Sequence, residues 1–288
     1  MRQYTSLLLR LMRWIEPYSS ATGEREGNSM IETKRLRTRA GSGVYQTGRD
    51  RLAQILDVAL SILVESGYEA MTLREVARRC KVQIGAISHY YKSRADLLQD
   101  VLNAVLADYA LRIRVIEKAT DLGAEQKLER LIGLLLEDMQ GKQTTRLFPH
   151  LWQLANHDPF VAKIVDSIYV LERLTLNRLI AQINPTLGEE ARETLSVFVS
   201  SAIAGSTMFI GFEKPWGAQL PMYRAIACKG LVDMVKTLSE EQLTTHGWRP
   251  EDAARNWKTP TILSPVEFLA LVEGERTEAP KAIDLTKE

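Results

Sequence analysis

TLREVARRCKVQIGAISHYYKSR, residues Thr72 to Arg94, decides how the rest of the chain is read. It holds two short amphipathic segments, each with its own start signal, with a few residues between them. Thr72 stands three residues before Glu75, the spacing of a capping box in which the hydroxyl takes a free backbone N–H and the carboxylate reaches back. Leu73, Val76 and Ala77 then share one helical face and leave Arg74, Arg78 and Arg79 outside. A second segment starts near Gln83 and turns Ile84 and Ile87 inward, so Gly85, Ser88, His89 and Tyr90 face something else. A basic helix pair with this layout is a helix-turn-helix, whose second helix enters the major groove of DNA.

The flanks agree. Arg49 to Ser66 is amphipathic, with Leu52, Ile55, Leu56, Ala59, Leu60 and Leu63 at helical steps, and Gly67 stands where a left-handed closing residue is wanted. Ser93 and Asp96 form a second capping box. They open a long helix to about Ala119 with Leu97, Leu98, Val101, Leu102, Val105, Leu106 and Tyr109 as its buried stripe. The net charge of +1 over 288 residues argues against a nucleic-acid binder until it is resolved along the chain. Residues 1–94 carry 16 Lys/Arg against 9 Asp/Glu, net +7, whereas 95–240 and 241–288 are each net −3. A basic head on an acidic body is the footprint of a modular DNA binder, because phosphate affinity follows local charge.

Gly67 to Leu98, GYEAMTLREVARRCKVQIGAISHYYKSRADLL, resembles the N-terminal domain of the TetR family of bacterial transcriptional regulators over about fifty residues. The likeness includes the closing glycine, the Thr that begins the second helix, the Val after the turn, and the Gly and Ile of the recognition helix. The aromatic pair, the Lys and the capped fourth helix also match. The ISHYY tract is most similar to regulators of the choline and betaine type. Lys81 departs from the glycine usual at the turn, and Gln83 from the commoner hydroxyl cap. A helix in the major groove needs small residues at closest approach and donors at its edges. Gly85 and Ala86 permit that approach, Gln83 and Ser88 suit base edges, and His89, Tyr90, Lys92 and Arg94 suit phosphate or base contacts. Thr72 and Arg74 suit the DNA backbone. Tyr91 is expected to pack between helices.

The body reads as further helices: Leu128 to Met139, Phe148 to Asn156, Phe160 to Ile183 behind an Asp158-Pro159 start, Glu189 to Phe212, and Met222 to Leu238. The resemblance implies that the last two pair with their copies in a homodimer. Ser196, Ser200 and Ala204, and likewise Ser201 and Gly205, recur four apart and allow close helix approach. The resemblance also implies a small-molecule effector in the body, for which Tyr109, Phe148, Trp152, Met208, Phe209 and Phe212 offer apolar lining. His150, Asn156, Asn177 and Arg178 are polar candidates. Arg178 would hold an anionic effector, pair with Glu172 or make a subunit contact.

The expected fold is all-α, a helix-turn-helix head on a helical body. Residues 1–45 form a basic leader, with an alternative role as an arm along DNA, 46–95 the DNA-binding domain, and 96–239 the effector-binding and dimerisation domain. Residues 240–288 form a tail with a short helix at PVEFLALVE. The expected function is that of a repressor released from a pseudo-palindromic operator by an effector. The competing readings are a DNA binder without an effector and an enzyme on a helical fold. The enzyme has little to rest on: no phosphate loop, dinucleotide fingerprint or nucleophile elbow occurs, and His150, His157 and Asp158 make only a loose metal or acid/base group. No catalytic residue, metal or cofactor is expected. Arg10 and Arg13 interrupt the apolar run Leu7 to Ile15, which argues against a signal peptide. The uncharged run Leu195 to Phe212 is broken by serines and reads as a buried helix, not a membrane span. Cys80 and Cys228 read as reduced packed thiols, and the setting as cytoplasmic.

Overall fold

A computed structural model describes residues 46–249, with side-chain surroundings from Arg51 onward. The expected leader, 1–45, and the tail segment PVEFLALVE lie outside the described residues. Among the described residues every regular element is helical. Three helices form the head: α1 (Gln46–Ser66), α2 (Leu73–Arg79) and α3 (Ile84–Tyr90). The long α4 (Arg94–Glu117) leads to α5 (Ala124–Glu137), α6 (Lys142–Ala155), α7 (Pro159–Ile183), α8 (Glu189–Ser206), α9 (Leu220–Thr237) and the short α10 (Glu240–Thr245).

The head is closed by the side chains its periodicity selects. Ile55, Leu56, Ala59 and Leu63 of α1, Val76 and Ala77 of α2, Ile87 of α3, and Leu97, Leu98 and Val101 of α4 are buried in one core. Gly67 ends α1 with φ 78° and donates its N–H to the Leu63 carbonyl at 3.0 Å, a left-handed close that a side chain would strain. Thr72 caps α2 by accepting the Glu75 N–H at 3.1 Å. The return half of the expected capping box is absent, because Glu75 is drawn to Arg78 at 2.6 Å and Arg79 at 2.9 Å, stronger partners than a backbone amide. Ser93 likewise accepts the Asp96 N–H at 3.1 Å and gives its own hydroxyl to the Asp96 carboxylate.

One inward assignment is corrected. Ile87 is fully buried, but Ile84 is 42% exposed. α3 leans chiefly on α2, and Ile84, its first residue, lies beyond the face that Ile87 buries.

In the body, α7 is the central helix, packed on α4, α5, α6 and α8, while α9 lies along α5. Asp158 caps α7 through the N–H groups of Phe160 and Val161 at 2.9 and 3.2 Å, as the sequence implies. α6 begins earlier than expected, at Lys142, and runs through Pro149. α8 ends earlier than expected, at Ser206, beyond which Met208 and Phe209 are exposed. α8 is not buried on all sides: Ser196, Val199, Ser200 and Ile203 face inward, and Val197, Phe198, Ser201 and Gly205 face out. The expected single small-residue seam is therefore divided, with Ser196 and Ser200 spent within the body. No described helix is long and apolar enough to cross a membrane.

The turn between α2 and α3 carries a measurable strain. Lys81 holds φ 56°, the conformation for which glycine is suited, although it bears a Cβ. Lys81→Gly is expected to stabilise the fold by about 1 kcal/mol. Chemical denaturation followed by circular dichroism checks this, and an unchanged or lower midpoint would show that the lysine makes a compensating contact.

Candidate nucleic-acid interface

The recognition helix is held from behind. Ile87 anchors it, and the next residue after it, Tyr91, is buried and donates its hydroxyl to Asp100 of α4 at 3.0 Å. Burial first, and Asp100 second, push the Tyr91 phenol far above its usual range, so it stays a neutral donor. With that side fixed, Gln83, Ile84, Gly85, Ala86 and His89 are exposed, and Ser88 and Tyr90 are half-buried. The His89 and Tyr90 rings meet edge to face at 5.3 Å. A Cβ built on Gly85 meets nothing within 4 Å, so packing within the chain does not require glycine there.

The flanking candidates are less uniform. Thr72 and Arg74 are exposed at the start of α2. Lys92 is exposed, its ammonium folded back on the Ser88 carbonyl at 3.0 Å. Arg94 is drawn inward: it pairs with Glu69 at 3.1 Å and lies 4.0 Å above the Tyr68 ring. Arg78 and Arg79 are engaged by Glu75, whose carboxyl the Arg78 hydrogen bond, then that of Arg79, lowers to about 2. Arg79 also pairs with Glu65 of α1 at 2.7 Å, and Glu65 lies 3.8 Å from Lys142 of α6. Sequence periodicity had no means of revealing this chain of charges, because its members are far apart in order. His150 of α6 packs against Gly67, so α6 braces the head both at the α1 terminus and at Glu65.

The effector candidates fall into separate places. Tyr109 and Phe148 meet edge to face at 5.6 Å, and Phe148 lies 6.3 Å from Trp152. Arg112, clamped by Asp138 at 2.7 and 2.5 Å, covers the other side of Tyr109. His150 faces the head, as noted, and Asn156 is exposed at the end of α6. Met208 is exposed, and Phe212 lies half-buried under Arg146. Arg178 is exposed and bound to Glu117, not to Glu172 as one alternative had it. His157 is exposed, Asp158 is the α7 cap, and the described residues hold no group of three or more His, Cys, Asp or Glu placed for a metal ion.

The sequence reading underused Glu172. It lies on the buried face of α7, its Oε1 without a hydrogen-bond partner among the described residues. Burial pushes its carboxyl up to about 7, against the opposing pull of Ser200 and Arg173. The signal in the sequence is an acid at a position that the α7 periodicity assigns to the core.

A braced bihelical unit with an open outer face, carried on a layered helical body, defines a helix-turn-helix transcriptional regulator. Residues 55–101 match the model of the bacterial regulatory proteins of the tetR family. The HTH-type transcriptional regulator BetI of Escherichia coli (strain K12) is 24% identical over 159 residues, 54% of this chain and 79% of its own length. Among solved structures, a Pseudomonas aeruginosa PAO1 protein described as a transcriptional regulator superposes with TM-score 0.58 at 17% identity, covering 75% of this chain and 99% of its own. A Saccharomonospora viridis protein of the same description, solved in complex with choline, gives TM-score 0.51 at 19% identity over 65% of this chain and 96% of its own. Over residues 55–101 the chain matches the tetR family, and over its helical body it shares the fold of these solved proteins.

Two outcomes follow from the geometry. Gly85→Ala is expected to raise helix stability by about 0.8–1 kcal/mol while lowering operator affinity, because the added methyl has room in the protein and none against a base. Melting and electrophoretic mobility shift together check it, and undiminished affinity would place DNA elsewhere. Glu172 has the opposite sign from an ion-paired acid. Its folded pKa is raised, so the folded chain holds the proton more tightly and stability falls as pH rises from about 4.5 towards 7. The cost in full is on the order of 3 kcal/mol, so Glu172→Gln should melt well above the wild type at pH ~8 and level with it at pH ~4.

Proposed function

We propose that this chain is a homodimeric, effector-responsive repressor whose heads, residues 46–95, read a pseudo-palindromic operator while the body, 96–239, dimerises and binds a small molecule. The observation that carries the reading is the fixed rotation of α3: Ile87 turned inward, Gly85 open to close approach. In this reading Gln83, Ser88, His89 and Tyr90 address bases and adjoining phosphates, and Thr72, Arg74 and Lys92 hold the DNA backbone. Arg94 holds the loop before α2 in register through Glu69 and Tyr68.

Dimerisation is supported by an uncovered apolar face. Phe198 of α8 and Ile226 of α9 are 50% and 65% exposed, with Val197 and Met222 beside them in sequence. Ser201, Gly205 and Gly230 are exposed on the same two helices and would let copies approach closely. An apolar surface of this kind on one chain marks an interface. The effector reading draws on the choline complex of the Saccharomonospora viridis protein and on the bracing of head by α6, through which a change in the body reaches Gly67 and Glu65. Only differential affinity for two body states can produce such a switch.

Footprinting of its own promoter region is expected to protect two half-sites about one helical turn, roughly 34–36 Å, apart, with protection lost on adding the effector. Sequence preference no greater than salt-sensitive background binding would refute the operator reading. Phe198→Asp is expected to yield monomers by light scattering and to abolish protection of both half-sites together. A dimer that survives the substitution would put the interface on another face.

A further inference from the structure

The body holds a buried carboxyl group with which none of the described residues forms an ion pair. Glu172 is 6% exposed, and one turn along α7 the Thr175 hydroxyl is wholly buried; among the described residues neither the Glu172 Oε1 nor that hydroxyl has a hydrogen-bond partner. The obvious cation on that helix, Arg178, is turned outward to Glu117. Ser200 of α8 satisfies part of the carboxyl, and Arg173 acts on it only at a distance. One turn before Glu172, Tyr169 accepts the indole N–H of Trp152 at 3.0 Å, and the Glu172 charge acts on the Tyr169 phenol. Trp152 and Tyr169 are half-buried, so the aromatic end of this group reaches solvent and the acid lies behind it. Phe148 and Tyr109 continue the run of rings inward from Trp152.

Two unmet oxygens, one of them ionisable, call for donors that carry positive charge. A neutral ligand leaves the acid without a countercharge, and an anion is repelled by it. A metal ion would find too few oxygens, and the described residues offer no ligand cluster. We infer that Glu172 and Thr175 form the polar end of an effector subsite for an organic ammonium ion bearing N–H groups, its hydrocarbon part lying against Tyr169 and Trp152. This deepens, and rests on, the effector-responsive reading. The ammonium stabilises the carboxylate, so binding expels the proton that Glu172 retains near neutrality. The groups about it, Tyr169 and Arg173 on α7, Ser200 on α8 and Trp152 on α6, bring no second acid. Affinity therefore rises from about pH 6 to about pH 8.

The test is calorimetric titration of the full chain with phenethylammonium, with 2-phenylethanol as its neutral match and phenyltrimethylammonium as a cation lacking N–H. Phenethylammonium is expected to bind roughly tenfold or more tightly than either. Glu172→Gln should remove that preference and flatten the pH dependence, and Thr175→Val should weaken phenethylammonium alone. Both variants must keep the wild-type circular dichroism and promoter footprint, which separates loss of the subsite from loss of the fold. Absence of phenethylammonium binding, equal binding of the alcohol or the quaternary cation, or undiminished binding by Glu172→Gln overturns the inference. Release of promoter DNA by a neutral molecule would overturn it while leaving the effector reading intact. Binding at Glu172 without release of DNA would do the reverse.

Discussion

The burial of Ile87 and Tyr91 is the constraint on which the rest depends. α3 has seven residues, too few to hold a helix in water by its own hydrogen bonds. Its rotation is set from outside: Ile87 enters the head core, and the Tyr91 phenol is fastened to Asp100 at the start of α4. Since α4 is continuous from Arg94 to Glu117, the fastening joins the orientation of the recognition helix to a rod that extends into the body. A buried phenol with no acceptor would be costly, so the Tyr91 to Asp100 bond fixes a specific pose as well as adding stability.

A second path between body and head runs along charges. Lys142 on α6, Glu65 on α1 and Arg79 on α2 form a chain, with Glu75 continuing it along α2. Each link is part-exposed and contributes little by itself. Their arrangement matters because it links three helices, α6, α1 and α2, outside the apolar core. His150 against Gly67 makes the same junction sterically. α6 thus touches the head at the terminus of α1 and, through Glu65, reaches the bihelical unit.

Most of the head was legible in the sequence because its determinants are local. Helix starts at Thr72, Ser93 and Asp158, the left-handed close at Gly67 and the stripe on α4 follow from spacings within a turn or two. What escaped depended on which of several partners a charged side chain takes. The reach of Glu75 was decided by Arg78 and Arg79, and the direction of Arg94 by Glu69 and Tyr68. Ile84 was misplaced because a seven-residue helix has too few apolar positions to define its inward direction. The body was less legible still. Aromatic residues at helical spacing look alike whether they fill a core, as Tyr109 does, or an uncovered face, as Phe209 does.

Arg178 and Glu172 show how such a misreading changes the chemistry. Both lie on α7, but six residues apart, further than the three or four at which helical side chains meet. The outward turn of Arg178 to Glu117 leaves buried Glu172 with only Ser200 and the more distant Arg173 to meet its charge. An interior acid without a paired cation destabilises the fold whenever it is ionised, and a glutamine or leucine would pack there at less cost. Strain of this kind is concentrated where a protein meets a ligand. The acid, the orphan hydroxyl of Thr175 and Tyr169, bonded to Trp152 of α6, lie within two turns of α7, the helix that packs on α4, α6 and α8. In the proposed effector response, a charge neutralised at that point relaxes α7, and α6, packed against it, carries the consequence to the head.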